Sequence, residues 1–274
     1  MNRIGVWSLA CGLVATCWGC SGDDERAPGV GDCNGVLCGT AGGGSVTPKP
    51  DAAPDTQADS ADEDAAVAVV DLAGSVMRLT DEGFSQEFPF DGWGYLRVPT
   101  ASGDEEVGFG GDAGLGFAAT GVVTGSSWFT VVPDASFHSL VMPTHAYLQV
   151  PDEASSSFSI PLVDRDVLTT VYAMLAPPAV VRADAAHVIV VFEKSGQRVS
   201  GVSVTAHPTA EAVAFDQGIG YASDATETGI NGAVVLVNVI GTGPLRWKES
   251  DGTEGTLTLV HVTGQASFVR IALP

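Results

Sequence analysis

The chain lacks cysteine over most of its length, because all five of its cysteines fall within the first 38 of its 274 residues. The sequence beyond Cys38 therefore has no disulfide, thiol nucleophile or cysteine-bound metal. Basic residues are also scarce: 12 Lys and Arg stand against 33 Asp and Glu, a formal charge of −21. A surface of that charge repels phosphate backbones and anionic lipids, which excludes nucleic-acid binding and electrostatic membrane binding.

Short catalytic and metal-binding motifs are missing as well. The sequence has no G-x-S-x-G elbow, no P-loop and no Rossmann glycine pattern after a strand. Its five histidines lack the spacings that place two metal ligands on one face of an element: His138, His145, His187, His207 and His261. A hairpin would be needed to bring His138 and His145 together, and surface imidazoles are the simpler interpretation. No cofactor, no metal and no catalytic residue is predicted.

Long hydrophobic runs are absent except near the N-terminus. Asn2 and Arg3 precede an apolar run over residues 4–16, which has the length of a secretory signal and is too short to span a bilayer. The run leads into Gly19-Cys20, which resembles the lipobox of bacterial lipoproteins, where the cysteine is lipidated and becomes the new N-terminus. Trp18 departs from that pattern, so Cys17 and secretion without a lipid remain alternatives.

The resemblance predicts a signal peptide over residues 1–20 and lipid attachment at Cys20. Several acyl chains hold a protein on a membrane almost permanently, so the membrane is a partner through the anchor. Ser21 after the cysteine implies transfer to the outer membrane of the bacterial cell envelope. The sequence leaves open whether the protein faces the periplasm or the outside.

A second segment, residues 21–65, is rich in Gly, Ala, Pro, Ser and Asp. Such a composition buries too little apolar surface to offset its ordering entropy, which predicts a disordered acidic tether. Within it, Cys33 and Cys38 are close enough in sequence to form a local disulfide in an oxidising envelope. A metal pair is the alternative for these two cysteines, and it would be half of a structural site.

From Val67 onward, short runs rich in Val, Thr, Phe and Leu alternate with turn residues, a pattern typical of an all-β chain. The continuous apolar run at residues 187–192 predicts a strand buried on both faces. Asn231-Gly232 predicts a two-residue hairpin, and Asp251-Gly252 separates two further strands. One helix is predicted after Asp164 or Asp166, with residues 161–180 forming a connecting helix and Pro-Pro linker.

The strand-like runs at residues 186–192, 201–206 and 233–239, with a turn at 224–229, resemble the carboxypeptidase regulatory-like domain family. The resemblance covers about residues 187–274, and residues 208–220 are an insertion relative to its pattern. It implies a transthyretin-like (prealbumin-like) antiparallel β-sandwich over residues 181–274. A weaker similarity predicts a second sandwich over residues 66–160. The expected fold is therefore all-β, with one or two sandwiches, one helix and the tether.

Three further features suggest sites. Four carboxylates around a glycine-rich stretch have the chemistry of a calcium loop, although a solvated acidic loop explains them equally well: Asp104, Glu105, Glu106 and Asp112. Trp93 and Tyr95 suit stacking on a sugar, with packing in a turn as the ordinary alternative. Lys194 ends a strand, as in adhesin domains that join a Lys to an Asn of the last strand, but residues 267–274 contain no Asn.

The function expected from these features is that of a noncatalytic, membrane-anchored lipoprotein of the cell envelope or cell surface. Its sandwich would act structurally or bind an envelope protein or a glycan, because regulatory-like domains usually accompany or present something else. The first alternative is a component of an envelope transport or assembly complex. The second is a secreted hydrolase with an unrecognised site.

Overall fold

The fold is known from a computed structural model, which describes residues 67–111 and 116–274. The described part forms seventeen strands and one α-helix, in the following order. They are β1 Val69–Leu79, β2 Glu87–Pro89, β3 Gly94–Thr100, β4 Gly103–Phe109, β5 Gly116–Val123, β6 Gly125–Pro133, β7 Thr144–Val150, β8 Ser155–Val163, α1 Arg165–Ala173, β9 Ala186–Lys194, β10 Gln197–Arg198, β11 Ser203–Ala206, β12 Ala212–Asp216, β13 Tyr221–Ala222, β14 Ala233–Val239, β15 Pro244–Lys248, β16 Glu254–Thr258 and β17 Ala266–Leu273. Over these residues, the predicted all-β class with one helix is confirmed.

Two sheets contain all the strands described. A 14-stranded sheet has the main order β13-β12-β14-β9-β17-β7-β6-β3-β5-β1-β2, and a three-stranded sheet has the order β11-β15-β16. The large sheet is mixed, because β17 is parallel to both β7 and β9, and β8 is parallel to β1. The antiparallel prediction missed these pairings, since alternation of side chains is the same in both directions. The boundaries predicted at residues 160 and 181 stay predictions.

Three strands at the centre of the large sheet are buried on both faces. One face of β9, β14 and β17 packs against α1 in one apolar cluster, and the other packs against the three-stranded sheet in a second cluster. Because both faces are covered, residues 188–192 are all fully buried, and the sequence there is an unbroken apolar run. A third cluster fills the N-terminal half, where β1, β3, β5, β6, β7 and β8 surround a shared core.

The helix α1 begins where the sequence predicts it. Asp164 is the N-cap, and its side chain accepts a hydrogen bond from the backbone N–H of Asp166. The same carboxylate forms an ion pair with Arg78 on β1, which ties the start of the helix to the sheet. The helix buries its own side chains Val167, Leu168 and Val171 against the sheet. No helix among the described residues is long and apolar enough to cross a membrane.

The predicted hairpin at Asn231-Gly232 is wrong. These residues end the loop between β13 and β14, which do not pair with each other. Asn231 instead donates its backbone N–H and its side-chain amide to the carboxylate of Asp216, at 2.8 Å each. The residues treated as an insertion, 208–220, also contain β12, which pairs with β14. A carboxylate acting across fifteen residues therefore overrides the local turn signal.

The turns at Ser195-Gly196 and Asp251-Gly252 do follow the prediction. Ser195 and Gly196 have φ values of 53° and 75°, and they join β9 to β10. Asp251-Gly252 lies between β15 and β16, which pair antiparallel from Lys248 with Glu254 to Pro244 with Thr258. The turn residues predict the connection correctly here because the two strands that flank each turn pair with each other.

Gly74 lies where β1 contacts β8 most closely. A Cβ atom at this position would overlap the backbone carbonyl of Phe158, which cannot move without breaking the β1–β8 pairing. We expect Gly74→Ala to lower the free energy of unfolding by about 3 kcal/mol. Gly108→Ala is the matched control, because a Cβ there meets nothing within 4 Å, and its effect should stay within about 1 kcal/mol. Equal effects of the two variants in chemical denaturation would contradict this account.

A buried polar network joins α1 to the sheet. The hydroxyl of Tyr172 lies 2.9 Å from Nδ1 of His187 and accepts the backbone N–H of Asn238 at 3.2 Å. The side chain of Asn238 donates to the carbonyl of Val180 and to the carboxylate of Glu211. Burial lowers the pKa of His187 from 6.5 to about 4, because the charged imidazolium loses its hydration.

This pKa makes folding stability depend on pH. The unfolded chain binds a proton at His187 near pH 6.5, whereas the folded chain binds it only near pH 4, so stability falls as the pH drops through that window. The loss amounts to at most about 3 kcal/mol. We expect His187→Asn to remove this part of the pH dependence in denaturation curves between pH 7 and pH 4. Tyr172→Phe should retain it, because burial is the main cause of the shift; a wild-type slope in His187→Asn would refute the assignment.

Candidate functional site

The candidate site is a groove of about 180 Å³ between the large sheet and the three-stranded sheet. The three-stranded sheet packs over β9, β14 and β17, and within the described part of the chain its strand β16 pairs on one side only, with β15. Strands β6 and β7 continue the large sheet next to this edge. Half-buried aromatic side chains and neutral polar groups line the groove, and the main ones are Ser126, Tyr147, Gln149, Trp247, Thr256 and Leu257.

The large sheet contributes two cross-strand pairs to this surface. The register between β6 and β7 sets Ser126 opposite Gln149 and Trp128 opposite Tyr147. Alternation along β7 turns Ala146 and Leu148 into the N-terminal core, so Tyr147 and Gln149 point to the opposite face. The rings of Trp128 and Tyr147 lie 5.1 Å apart, which fixes the orientation of the tyrosine.

The three-stranded sheet contributes Trp247 and holds it firmly. Trp247 on β15 is opposite Gly255 on β16, and the indole lies across that glycine. A Cβ atom at position 255 would overlap the ring, so only glycine leaves room for it. On its other side, Trp247 contacts Phe192 with ring centroids 6.0 Å apart. The indole is therefore placed before any ligand arrives.

The polar groups of the groove are only partly used within the protein. Ser126 donates its hydroxyl to the side-chain oxygen of Gln149 at 2.9 Å, whereas the amide nitrogen of Gln149 makes only a 3.5 Å contact with the carbonyl of Val150. Thr256 donates to the carbonyl of Leu245 at 3.3 Å. The amide nitrogen of Gln149 and the hydroxyl of Thr256, whose contacts are long, can exchange these partners for a ligand.

Arg270 also lines the groove, but its charge is balanced on the other side of β17. Its guanidinium lies 2.9 Å from Glu87 on β2 and 3.6 Å from Glu193 on β9. Glu193 in turn lies 3.3 Å from Arg198 on β10. The ion pairs connect strands from both ends of the described chain and leave the groove close to neutral.

A second cavity of about 300 Å³ lies at the loop end of the sheet, and it is acidic. Its two principal carboxylates are already hydrogen-bonded by the protein: Asp81 by Ser85 and Gln86, and Asp216 by Gly218 and Asn231. The backbone hydrogen bonds and the hydroxyl of Ser85 lower the pKa of Asp81, although its burial acts in the opposite direction. These carboxylates shape the loops rather than offering free ligands.

The residues singled out in the sequence lie elsewhere. Cys20, Cys33 and Cys38 are outside the described residues, and so is Asp112. Asp104, Glu105 and Glu106 lie on the exposed strand β4, where Glu106 pairs with Arg97 at 3.0 Å. Among the described residues, no three His, Cys, Asp or Glu side chains are grouped to hold a metal ion.

Trp93 and Tyr95 do not form a stacking platform. The ring of Trp93 meets Phe137 edge-on at 4.8 Å, and the guanidinium of Arg97 lies 5.8 Å from the ring centre of Tyr95. Local packing, of Trp93 before β3 and of Tyr95 on β3, therefore accounts for both rings. Lys194 ends β9 with its ammonium 3.8 Å from Glu249.

The histidines have separate partners. His138 lies 3.1 Å from the carbonyl of Pro133, and His145 lies 3.0 Å from the hydroxyl of Thr130. Burial lowers the pKa of His145. His261 is half-buried, as expected, and its Nε2 lies 2.8 Å from the carbonyl of Gly241.

No protein-family model matches the chain, and a search of curated proteins finds no match. Among solved structures, the Bacillus anthracis TIE protein is similar with 8% identity over 75% of this chain and 34% of that protein, at a TM-score of 0.24. The chain thus spans about a third of that protein. GBS52, the minor pilin of Streptococcus agalactiae, is 10% identical over 74% of this chain and 94% of its own, with a TM-score of 0.21. The shaft pilin SpaA of Lactobacillus rhamnosus GG is 10% identical over 75% of this chain and all of its own, also with a TM-score of 0.21. Likenesses of this size do not define the function.

The contact between Trp247 and Gly255 can be tested by a double-mutant cycle. We expect Gly255→Ala to cost about 1–3 kcal/mol of unfolding free energy, because the indole must leave its place. In a Trp247→Ala background the same glycine substitution should cost much less, since the overlapping ring is gone. Denaturant unfolding of the four proteins measures the coupling. Additive effects would show that the indole does not depend on Gly255.

Proposed function

We propose that this chain is a noncatalytic lipoprotein of the bacterial envelope, whose β-sandwich part binds a ligand in the aromatic groove. The groove is the observation that carries the binding role. It combines fixed aromatic rings with the weakly bonded amide of Gln149 and hydroxyl of Thr256, and such a lining suits recognition more than proton transfer or nucleophilic attack.

The anchor and the domain plan belong to the same proposal. A lipid on Cys20 and a tether over residues 21–65 would hold the folded part at the membrane, with Ser21 directing it to the outer membrane. Residues 181–274 form a carboxypeptidase regulatory-like domain in this proposal, and residues 66–160 form a second sandwich. The apolar core between β9, β14, β17 and the three-stranded sheet supports a sandwich in the first of these ranges.

A second candidate function is a place in an envelope transport or assembly complex. Ile219 and Ile230, in the loops that Asp216 organises, are 99% and 74% exposed beside the acidic cavity. Two exposed isoleucine side chains fixed beside an acidic cavity favour contact with another protein. The ligand-binding role ranks first because the groove is a pocket lined from two sheets, whereas the alternative rests on the two side chains Ile219 and Ile230.

The anchor is tested with cysteine variants of the full chain. We expect wild-type protein in the membrane fraction, with a mature N-terminus whose mass corresponds to acylated Cys20. Cys20→Ala should move the protein to the soluble fraction, because the hydrophobic attachment is lost. Cys17→Ala is the matched control and should remain anchored. An unmodified, soluble wild type, or loss of the anchor in Cys17→Ala alone, would overturn the assignment.

A further inference from the structure

We propose that the groove between β7, β15, β16 and β17 binds one ring of a neutral saccharide. The inference rests on the ligand-binding role proposed above and names the ligand class. A pyranose ring has an apolar C–H face and a rim of hydroxyls. The groove offers the complement of both, with aromatic faces on its walls and neutral donors and acceptors at its rim.

The aromatic part depends on two side chains from different sheets. Tyr147 packs beside Trp128 on the neighbouring strand, and Trp247 packs against Phe192 and Gly255. Both rings are half-buried, so each keeps one part open toward the groove. Rings fixed in advance lose little conformational entropy when a ligand stacks on them, which favours binding through such weak contacts.

The polar part selects for an uncharged ligand. The side-chain amide of Gln149 and the hydroxyls of Ser126 and Thr256 both donate and accept, as saccharide hydroxyls do. Arg270 is balanced by Glu87 and Glu193 and so gives little attraction to a carboxylate. The formal charge of −21 disfavours acidic saccharides further.

The size of the groove limits the ligand to one ring at a time. Its volume of about 180 Å³ is below the range of roughly 300–1,000 Å³ that encloses a drug-sized molecule. The competing occupant is an extended peptide that pairs with the free edge of β16. A peptide would use the backbone of β16 and would need neither the amide of Gln149 nor the ring of Tyr147, which lie on the other sheet.

The test titrates the full mature chain with four soluble probes and follows binding by calorimetry. The probes are neutral tetrasaccharides of glucose and of N-acetylglucosamine, a tetrasaccharide of galacturonic acid, and a short extended threonine–valine peptide. We expect a neutral tetrasaccharide to bind with millimolar or tighter affinity, and the acidic one to bind at least about tenfold more weakly.

Matched variants assign the binding to the groove. Trp247→Ala and Tyr147→Ala should each weaken binding about tenfold, and Trp247→Phe should weaken it less because a ring is kept. Trp93→Ala is the control: Trp93 is exposed and packs on Phe137, and neither side chain lines the groove, so affinity should stay within about twofold. Circular dichroism and thermal unfolding establish that each variant is folded.

Three results would overturn the inference. In the first, the wild type binds neither neutral tetrasaccharide. In the second, Trp93→Ala abolishes binding while Trp247→Ala and Tyr147→Ala do not. In the third, the wild type binds only the peptide. None of these results would contradict the proposed anchor or the noncatalytic role, because fractionation of Cys20→Ala tests the anchor in a separate experiment. Conversely, a soluble wild type would refute the anchor without affecting saccharide affinity.

Discussion

The parallel pairing of β17 between β7 and β9 is the interaction on which the rest of the structure depends. It places Ser267 beside both His145 and Val188, so the two halves of the described chain share one sheet. The register also decides which face each residue takes: Phe268 enters the core under α1, and Val269 and Ile271 enter the core under the three-stranded sheet. If the register of β17 slipped by one residue, each of its side chains would turn to the opposite face of the sheet, including the polar Ser267 and Arg270. This pairing sets Tyr147 beside Val269, and Tyr147 and Ile271 both line the groove.

The elements that the sequence predicts well are those determined by neighbouring residues. Asp164 caps α1, Ser195-Gly196 and Asp251-Gly252 make turns, and residues 187–192 form a doubly buried strand. The features that could not be predicted depend on residues far away in the sequence. Strand direction is not encoded in alternation, so the parallel pairing of β17 could not be derived. Asn231-Gly232 resembles a hairpin until Asp216 is placed beside it.

The candidate site was harder to predict than the fold, for the same physical reason. Trp93 and Tyr95 are conspicuous in the sequence because they lie two residues apart, yet Trp93 packs edge-on against Phe137 and Tyr95 contacts Arg97. Tyr147 and Trp247 lie 100 positions apart and meet only when both sheets have formed. One signal was present: around the turn at Asp251-Gly252, pairing sets Trp247 opposite Gly255, and a tryptophan facing a glycine indicates a ring lying over the backbone.

The position of β17 in the chain has a consequence for biosynthesis. This strand follows the sixteen others, and both central cores remain open until residues 266–273 have emerged. During synthesis, the N-terminal half can close around its own core while β7 still exposes unpaired backbone groups on the side that β17 later covers. A growing polypeptide with such an edge is a target for chaperones and for self-association between neighbouring nascent chains. The two central cores are therefore completed only when β17 joins the sheet.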